Sequence, residues 1–310
     1  MTNDYPFRLV HADRDGSLED PSLLSRRPFA TMSNSFADDA QRFVPGEQLE
    51  IAINTAIAVG EPLLITGEPG TGKTQAAYYA AYKLGIEPVL HFQVKSDSNA
   101  RDLLYYFDTV RYFHDAHLRK EAEPLNKADY VEHRVLWNAF ESPTPRVVLI
   151  DEIDKAPRDF PNDLLHELDK MEFTVAETQQ IISAPKAQRP IVFITSNSER
   201  RLPEPFLRRC VYHHIRFDDD LVAKAVDKRK DEYRTLSADF LKMAVQRFLA
   251  LRNRPLRKQP STGELLVWLR VLALTVNTLP ERLDQDLSKL PYLGVLLKDH
   301  QDIEELGGRS

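Results

Sequence analysis

Short apolar runs alternate with stretches of helical periodicity between residues 46 and 216. Each run is four to six residues long and is bounded by turn-forming or polar positions, which indicates a strand. Strands that alternate with helices predict a parallel sheet covered by helices on both faces. The five predicted strands are 63–66, 88–93, 147–150, 191–194 and 211–215.

The helical periodicity is clearest at 47–59, where Leu49, Ile53 and Ile57 recur four residues apart and Gly60 follows. A second helix is predicted at 74–84, and a hairpin at 173–182. Beyond residue 218 the strand pattern stops, and only helices are predicted, at 221–233, 238–252 and 262–279. We therefore expect an N-terminal arm (1–42), an α/β domain (43–218) and a small all-α domain (219–310).

Composition narrows the class of protein. The net charge of −6 argues against a dedicated nucleic-acid binder, whose binding face is basic. The single cysteine, Cys210, excludes an internal disulfide and favours a reducing compartment. The polar N-terminus does not resemble a signal peptide, and the apolar run 265–276 is too short to cross a bilayer. We expect a cytoplasmic protein without a membrane segment.

The sequence GEPGTGKT lies between the first predicted strand and the helix after it, which is the context of a phosphate-binding loop. Its glycines permit backbone angles that direct N–H groups at a β-phosphate. The lysine would contact the β- and γ-phosphates, and the threonine hydroxyl would bind Mg²⁺. The predicted ATP-binding residues are Gly67, Glu68, Pro69, Gly70, Thr71, Gly72, Lys73 and Thr74.

Polar residues follow two further strands, at the sheet edge where ligands of open α/β sheets bind. Asp151 is placed to hold Mg²⁺, together with Thr74. Glu152 is placed to act as the base toward a water that attacks the γ-phosphate, and its presence favours hydrolysis over simple binding. Asn197, at the tip of the fourth strand, could hold that water. The alternatives without a catalytic role are a solvated acidic loop for Asp151 and Glu152, and a turn-forming residue for Asn197.

Four arginines precede the fifth strand: Arg200, Arg201, Arg208 and Arg209. A planar guanidinium suits a γ-phosphate approached from a neighbouring subunit. A solvated basic turn explains any one of them equally well. Arg209 could also lower the pKa of the adjacent Cys210.

The motifs GEPGTGKT, VVLIDEIDKA, ITSNSE and LPEPFLRRC occur in the order found in AAA+ ATPases, which this sequence resembles over residues 48–216. Within that family they resemble the MoxR-like branch. The resemblance implies the strand order 5-1-4-3-2, a helical lid and a homo-oligomeric ring, usually a hexamer. It assigns Asn197 to the first sensor position and Arg209 to the arginine finger, with Arg208 as its rival.

The resemblance also implies a protein client, possessing a von Willebrand factor A domain in the MoxR-like case, and hairpins at 173–182 that face the ring's pore. An ordinary surface hairpin is the alternative. One departure is Gly263, which occupies the place of a second-sensor arginine; Arg257 could substitute, and Arg270 less readily. The acidic runs 218–220 and 302–305 are predicted to be solvated helix caps.

Two other functions remain open from sequence. The first is an AAA+ motor acting on nucleic acid, of restriction-system or replication type, supported by the basic linker 252–258. The second is a nucleotide-switched scaffold that scarcely turns over. Neither the client nor the number of subunits follows from the sequence.

Overall fold

The computed structural model describes residues 36–118, 125–275 and 283–307. The chain forms two compact units. The α/β unit comprises residues 45–68 and 72–216, and the helical unit comprises residues 217–310 with those up to 44 and 69–71. No helix in the described part of the chain is long and apolar enough to span a membrane.

The strands of the described residues are β1 (Leu63–Gly67), β2 (Leu90–Gln93), β3 (Tyr105–Phe107), β4 (Val131–His133), β5 (Val147–Asp151), β6 (Glu172–Thr174), β7 (Ile181–Ser183), β8 (Ile191–Ser196) and β9 (Val211–Ile215). The helices are α1 (Phe36–Ala40), α2 (Glu47–Val59), α3 (Lys73–Leu84), α4 (Thr109–Leu118), α5 (Val135–Phe140), α6 (Phe160–Asp163), α7 (Leu165–Lys170), α8 (Glu204–Leu207), α9 (Asp219–Asp227), α10 (Ala238–Arg252), α11 (Thr262–Leu274), α12 (Leu293–Leu296) and α13 (His300–Leu306).

Five parallel strands form the central sheet in the order β2-β5-β8-β1-β9. Numbered one to five along the chain and read from the β9 edge, this order is 5-1-4-3-2, so the predicted fold class is confirmed. The central strands β1 and β5 are buried along their whole length, which explains why their sequences are continuous apolar runs. Helices α2, α3 and α5 pack against the sheet.

The predicted strands at 63–66, 147–150 and 191–194 are all present, and each extends further than its apolar run. They continue to Gly67, Asp151 and Ser196, because backbone pairing does not require an apolar side chain. The polar residues Asp151 and Ser196 are therefore fixed on the sheet rather than on loops. Helix α2 has the predicted bounds, and it ends where Gly60 adopts a left-handed conformation.

Two insertions extend from the α/β unit. The first, β3-α4-β4, was not predicted, because strands of three residues are too short to show a period. The second is the β6-β7 hairpin, which confirms the hairpin predicted at 173–182 and pairs Phe173 with Ile182. The Tyr105 and Phe173 rings stack at 6.2 Å, so the two insertions pack against each other.

The helix predicted at 221–233 is wrong in its second half. Helix α9 ends at Asp227, and a separate 3₁₀ turn covers Lys230–Tyr233. Arg229 interrupts the helix because its side chain is buried and pairs with Asp39 at 3.4 Å, a tertiary contact that local propensity does not encode. Helix α11 ends at Leu274, and residues 276–279 of that prediction lie outside the described residues, as do residues 1–35 of the predicted arm.

The two acidic runs differ. Asp218 caps α9 as predicted, accepting hydrogen bonds from the backbone N–H groups of Asp220 and Leu221. Asp302, predicted to be solvated, is buried instead. Its carboxylate accepts hydrogen bonds from the backbone N–H groups of Arg257 at 2.9 Å and Lys258 at 3.1 Å. The Asp302 carboxylate thus provides hydrogen-bond acceptors for two backbone N–H groups of the basic linker.

The core of the helical unit surrounds Trp268, which is fully buried and donates from Nε1 to the Pro291 carbonyl at 2.8 Å. We expect Trp268→Ala to lower the free energy of unfolding by about 3–5 kcal/mol, since the cavity cannot refill completely. Urea unfolding followed by far-UV circular dichroism measures the loss. The half-exposed neighbour Val267 is the control, and Val267→Ala should change stability by less than about 0.5 kcal/mol. Equal losses would contradict this account of the core.

Candidate active site

The loop between β1 and α3 has the backbone that its glycines predict. Gly70 and Gly72 have φ of 76° and 91°, in the left-handed region that favours glycine. The Lys73 side chain is buried, and its Nζ donates to the carbonyl oxygens of Gly67 at 2.8 Å and Glu68 at 2.9 Å. Burial lowers the pKa of Lys73, against the opposing field of nearby carboxylates. A buried cation bonded to carbonyl oxygens fits a site that takes a phosphate anion.

Asp151, the last residue of β5, lies within hydrogen-bond distance of Thr74, so the two predicted Mg²⁺-binding residues are side by side. The Thr74 hydroxyl donates to Asp151 Oδ1 at 2.9 Å, and the Thr195 hydroxyl donates to the same oxygen at 2.5 Å. Burial acts to raise the pKa of Asp151, but hydrogen bonds from His91, Thr195 and Thr74 outweigh it, so the pKa is lowered. An ionised carboxylate beside a hydroxyl supplies the oxygen ligands that Mg²⁺ prefers.

Glu152 follows Asp151 in a left-handed conformation, with φ of 60°. Such a conformation in a non-glycine residue is strained and is concentrated at functional sites. Its carboxylate accepts hydrogen bonds from Asn197 Nδ2 at 3.2 Å and Gln93 Nε2 at 2.6 Å, and it pairs with Lys155. The structure therefore brings Glu152 and Asn197 together, as the sequence motifs predict.

Two residues that order this site were not predicted. Thr195 accepts from the Glu152 backbone N–H at 2.8 Å while donating to Asp151, so one side chain fixes both acidic residues. Asp154 is buried and accepts from the backbone N–H groups of Asn197 and Glu199, which holds the loop after β8. Polar residues at or after strand ends were the available signal for both.

The arginines lie apart from this network. Arg209 is exposed, and its guanidinium donates to Asp169 Oδ2 at 2.6 Å and to the Pro205 carbonyl at 3.0 Å. Arg208 is also exposed. Arg200 donates to the Ala156 carbonyl, and Arg201 pairs with Glu204. Arg208 and Arg209 thus lie on the surface of the chain.

The three residues considered for the second-sensor position, Gly263, Arg257 and Arg270, all belong to the helical unit. Gly263 lies in the first turn of α11. Arg270 donates to Glu232 Oε2 at 2.8 Å, and Glu232 also accepts from Arg42 at 2.6 Å in a nearly solvent-free position. Arg270 is therefore committed to an ion-pair network, whereas the Arg257 side chain is exposed.

Cys210 corrects one prediction. We expected Arg209 to lower the pKa of its thiol, but burial raises that pKa to about 12, and the Arg209 guanidinium is turned to Asp169 instead. The Cys210 Sγ donates to the Phe206 carbonyl at 3.4 Å.

Because thiolate is the reactive form, Cys210 should resist alkylation in the folded protein at pH 8. We expect iodoacetamide to label the native chain at least about tenfold more slowly than the urea-unfolded chain, in which the thiol returns to an ordinary pKa near 8.5. Intact-mass spectrometry over time measures both rates. Equal rates would show that the thiol is neither buried nor shifted.

Comparison with known proteins agrees with this geometry. Residues 62–210 match the family model of the AAA domain, dynein-related subfamily. No curated protein matches the chain. One similar solved structure is a protein from Cytophaga hutchinsonii described as a "putative ATPase", 16% identical over 87% of this chain and 92% of that chain, with a TM-score of 0.41. A likeness that distant carries no argument about function.

The matched segment begins just before β1 and ends just before β9, so it contains the loop, both acidic residues and Asn197. Residues 62–210 are therefore similar to an AAA domain, and the protein is an ATPase.

Proposed function

We propose that this protein hydrolyses Mg²⁺-ATP and uses the energy to remodel or activate a partner protein, as a MoxR-like chaperone assembled in a homo-oligomeric ring, usually hexameric. The observation that carries hydrolysis is the placement of Glu152. Its carboxylate is held by Asn197 and Gln93 beside an ionised Asp151. A chain that only held nucleotide would have no need of a carboxylate oriented in this way.

Each residue has a task that its surroundings support. Lys73 would exchange its carbonyl partners for phosphate oxygens, and Thr74 with Asp151 would hold Mg²⁺. Bound Mg²⁺ supplies neutralisation of the charge on the phosphates. Glu152 would accept a proton from the attacking water, which Asn197 helps to place. The sequence motif GEPGTGKT and the left-handed glycines favour ATP at the loop itself.

The two insertions favour a protein as the client. Both insertions expose large apolar side chains, although Arg111 and Lys127 of the first insertion are exposed as well. Exposed apolar groups suit contact with a protein, whereas a surface that binds nucleic acid is lined mainly by Lys and Arg. Val110 is 78% exposed and Ile181 67%. The exposed apolar residues on these insertions are Tyr106, Val110, Phe113, Leu118 and Ile181. A client with a von Willebrand factor A domain follows from the MoxR-like resemblance only.

The rival function is a motor that acts on nucleic acid, and its support is the basic linker. Arg252 of that linker lies 3.6 Å over the Phe217 ring and donates to the Pro260 carbonyl, so this cation is used within the helical unit. Arg254, Arg257 and Lys258 are exposed. Adding duplex DNA to an ATPase assay separates the two functions: stimulation of several-fold favours the motor, and no effect favours the chaperone.

The client is identified by trapping. Tagged Glu152→Gln protein should keep its client when loaded with ATP, and mass spectrometry of the retained material names it. Lys73→Met, which should not bind ATP, is the matched control for non-specific retention. A protein retained by Glu152→Gln and released by Lys73→Met supports the chaperone. Retained DNA would overturn it.

Arg209 is proposed to reach the γ-phosphate of a neighbouring subunit, with Arg208 as the alternative. We expect Arg209→Ala to lower ATP turnover by about 10³-fold or more while ATP affinity changes little. Arg201→Ala, which removes an arginine that is 86% exposed and paired with Glu204, is the control. Steady-state ADP formation measures all three variants. If Arg208→Ala alone shows the loss, Arg208 is the finger.

A cytoplasmic location is part of the same proposal, and its support is the single cysteine.

A further inference from the structure

Strand β2 presents two polar side chains to the acidic residues of β5. His91 and Gln93 are two positions apart, so they lie on the same face of the strand. Gln93 donates to Glu152 at 2.6 Å, and His91 faces Asp151. Nothing in the phosphate-binding motif or the acidic motif accounts for this histidine.

His91 lies between a tyrosine and the carboxylate of Asp151. Its Nε2 is buried and is 3.4 Å from Asp151 Oδ2, and its Nδ1 is 3.0 Å from the Tyr78 hydroxyl. Tyr78 belongs to α3, the helix that begins at Lys73 and Thr74. Its ring meets the imidazole edge-on, with centroids 6.0 Å apart. Helix α3 and strand β2 therefore hold the imidazole from two sides.

The contacts determine where the imidazole hydrogen lies. A bare Nε2 lone pair directed at an ionised carboxylate would be repulsive, so Nε2 carries the hydrogen. In the neutral ring, Nδ1 is then an acceptor, and it accepts from the Tyr78 hydroxyl. Burial and the charge of Asp151 raise the pKa of Tyr78, so this hydroxyl keeps its hydrogen. The Tyr78 hydroxyl is thus hydrogen-bonded to Nδ1, and the opposite nitrogen of the ring faces Asp151 Oδ2 at 3.4 Å.

The two carboxylate oxygens of Asp151 thereby have different surroundings. Oδ1 accepts from the hydroxyls of Thr195 at 2.5 Å and Thr74 at 2.9 Å. Oδ2 faces His91 at 3.4 Å and lies 3.2 Å from the Thr74 hydroxyl. Groups from α3, β2 and β8 thus surround one carboxylate, and His91 lies on its Oδ2 side.

We propose that His91, oriented by Tyr78, is a positioning residue for Asp151: it fixes the carboxylate in the rotation that holds the divalent cation of the bound nucleotide. This inference rests on the proposed Mg²⁺-dependent hydrolysis and adds two residues to it. Groups that orient a ligand of a metal typically change metal affinity or activity about 10- to 100-fold when they are removed. His91 acts through Asp151 and does not touch the phosphates.

The test compares variants that differ in the hydrogen bond rather than in volume. His91→Leu removes the donor, and His91→Gln places an amide N–H where Nε2 lies. Tyr78→Phe removes only the hydroxyl that orients the ring. Tyr82→Phe is the matched control, because Tyr82 lies on the same helix and is 45% exposed. Thermal melting of each variant shows whether it folds as the wild type does.

Two measurements distinguish positioning from packing. Mn²⁺ binding is followed by the electron paramagnetic resonance of free Mn²⁺, with a non-hydrolysable ATP analogue bound. Steady-state turnover gives kcat and KM. We expect His91→Leu to weaken Mn²⁺ binding about tenfold and to lower kcat by a similar factor, while affinity for the analogue in EDTA stays unchanged. His91→Gln should recover most of the loss, and Tyr78→Phe should weaken Mn²⁺ binding about threefold to tenfold.

The outcomes separate this inference from the function on which it rests. If the wild type shows no Mg²⁺-dependent turnover, the proposed function fails. If the wild type is active and both His91→Leu and Tyr78→Phe bind Mn²⁺ as it does, only the positioning role is overturned. Equal losses in His91→Leu and His91→Gln would also overturn it, since they indicate packing. If His91→Leu does not fold, Tyr78→Phe against Tyr82→Phe decides.

Discussion

Glu152→Gln is expected to lower ATP turnover about 10²–10⁴-fold, the usual contribution of a positioned general base. Glutamine has the shape of glutamate and keeps one oxygen, which can accept from either Asn197 or Gln93. It cannot accept a proton from water. ATP affinity should therefore change little, because Lys73 and Thr74 remain. Coupled-enzyme detection of ADP measures turnover, and a fluorescent ATP analogue measures binding.

The control for Glu152→Gln is Glu199→Gln, which removes an exposed carboxylate from the loop that follows β8. It should leave turnover within about twofold, as expected for a surface charge. If Glu152→Gln turns over ATP as fast as the wild type, Glu152 is not the base for hydrolysis. The chain would then be a nucleotide-switched scaffold.

Lys73→Met is expected to weaken ATP binding about 100-fold and to lower turnover to background. The ammonium is buried within the loop and donates to two of its carbonyl oxygens, so it is already beside the position of the phosphates. A hydrogen bond to a charged group contributes about 1.5–3 kcal/mol, and charge-assisted bonds to phosphate are among the strong ones. Methionine preserves the length of the side chain without its charge. Equilibrium binding of the fluorescent analogue measures the loss.

Lys83→Met is the matched control, since Lys83 is an exposed lysine at the other end of α3. ATP affinity within about twofold of the wild type is expected for it. Equal affinity in Lys73→Met and Lys83→Met would contradict the placement of the phosphates at this loop. Unchanged thermal stability of Lys73→Met would show that its effect is on binding.

The sequence was sufficient to predict β1, β5 and β8 because these strands are almost completely buried and their sequences are therefore nearly continuous apolar runs. It also predicted that Asp151, Glu152 and Asn197 would approach each other, since parallel strands end at one edge. The contact between Asn197 and Glu152 agrees with this. The roles of these residues in hydrolysis stay predictions until the variants are measured.

The features of the fold and site that were not predicted depend on tertiary contacts or on strands too short to leave a pattern in the local sequence. Alternation along β2 places His91 and Gln93 on one face of the strand, but it does not show which strand lies beside β2. Their contacts with Asp151 and Glu152 therefore became visible only with the register of β2 against β5. Arg229 interrupts a helix through its buried contact with Asp39. The β3-α4-β4 insertion escaped prediction because its strands are shorter than one recognisable period.

Mg²⁺-dependent hydrolysis at Glu152 is tested by ADP formation by the wild-type protein, measured with ATP in Mg²⁺ and again in EDTA, with Glu152→Gln as the baseline. We expect wild-type turnover in Mg²⁺ to lie at least about 100-fold above the Glu152→Gln baseline and to disappear in EDTA. Wild-type ADP formation that equals the Glu152→Gln baseline in Mg²⁺, in protein that binds ATP, would contradict it.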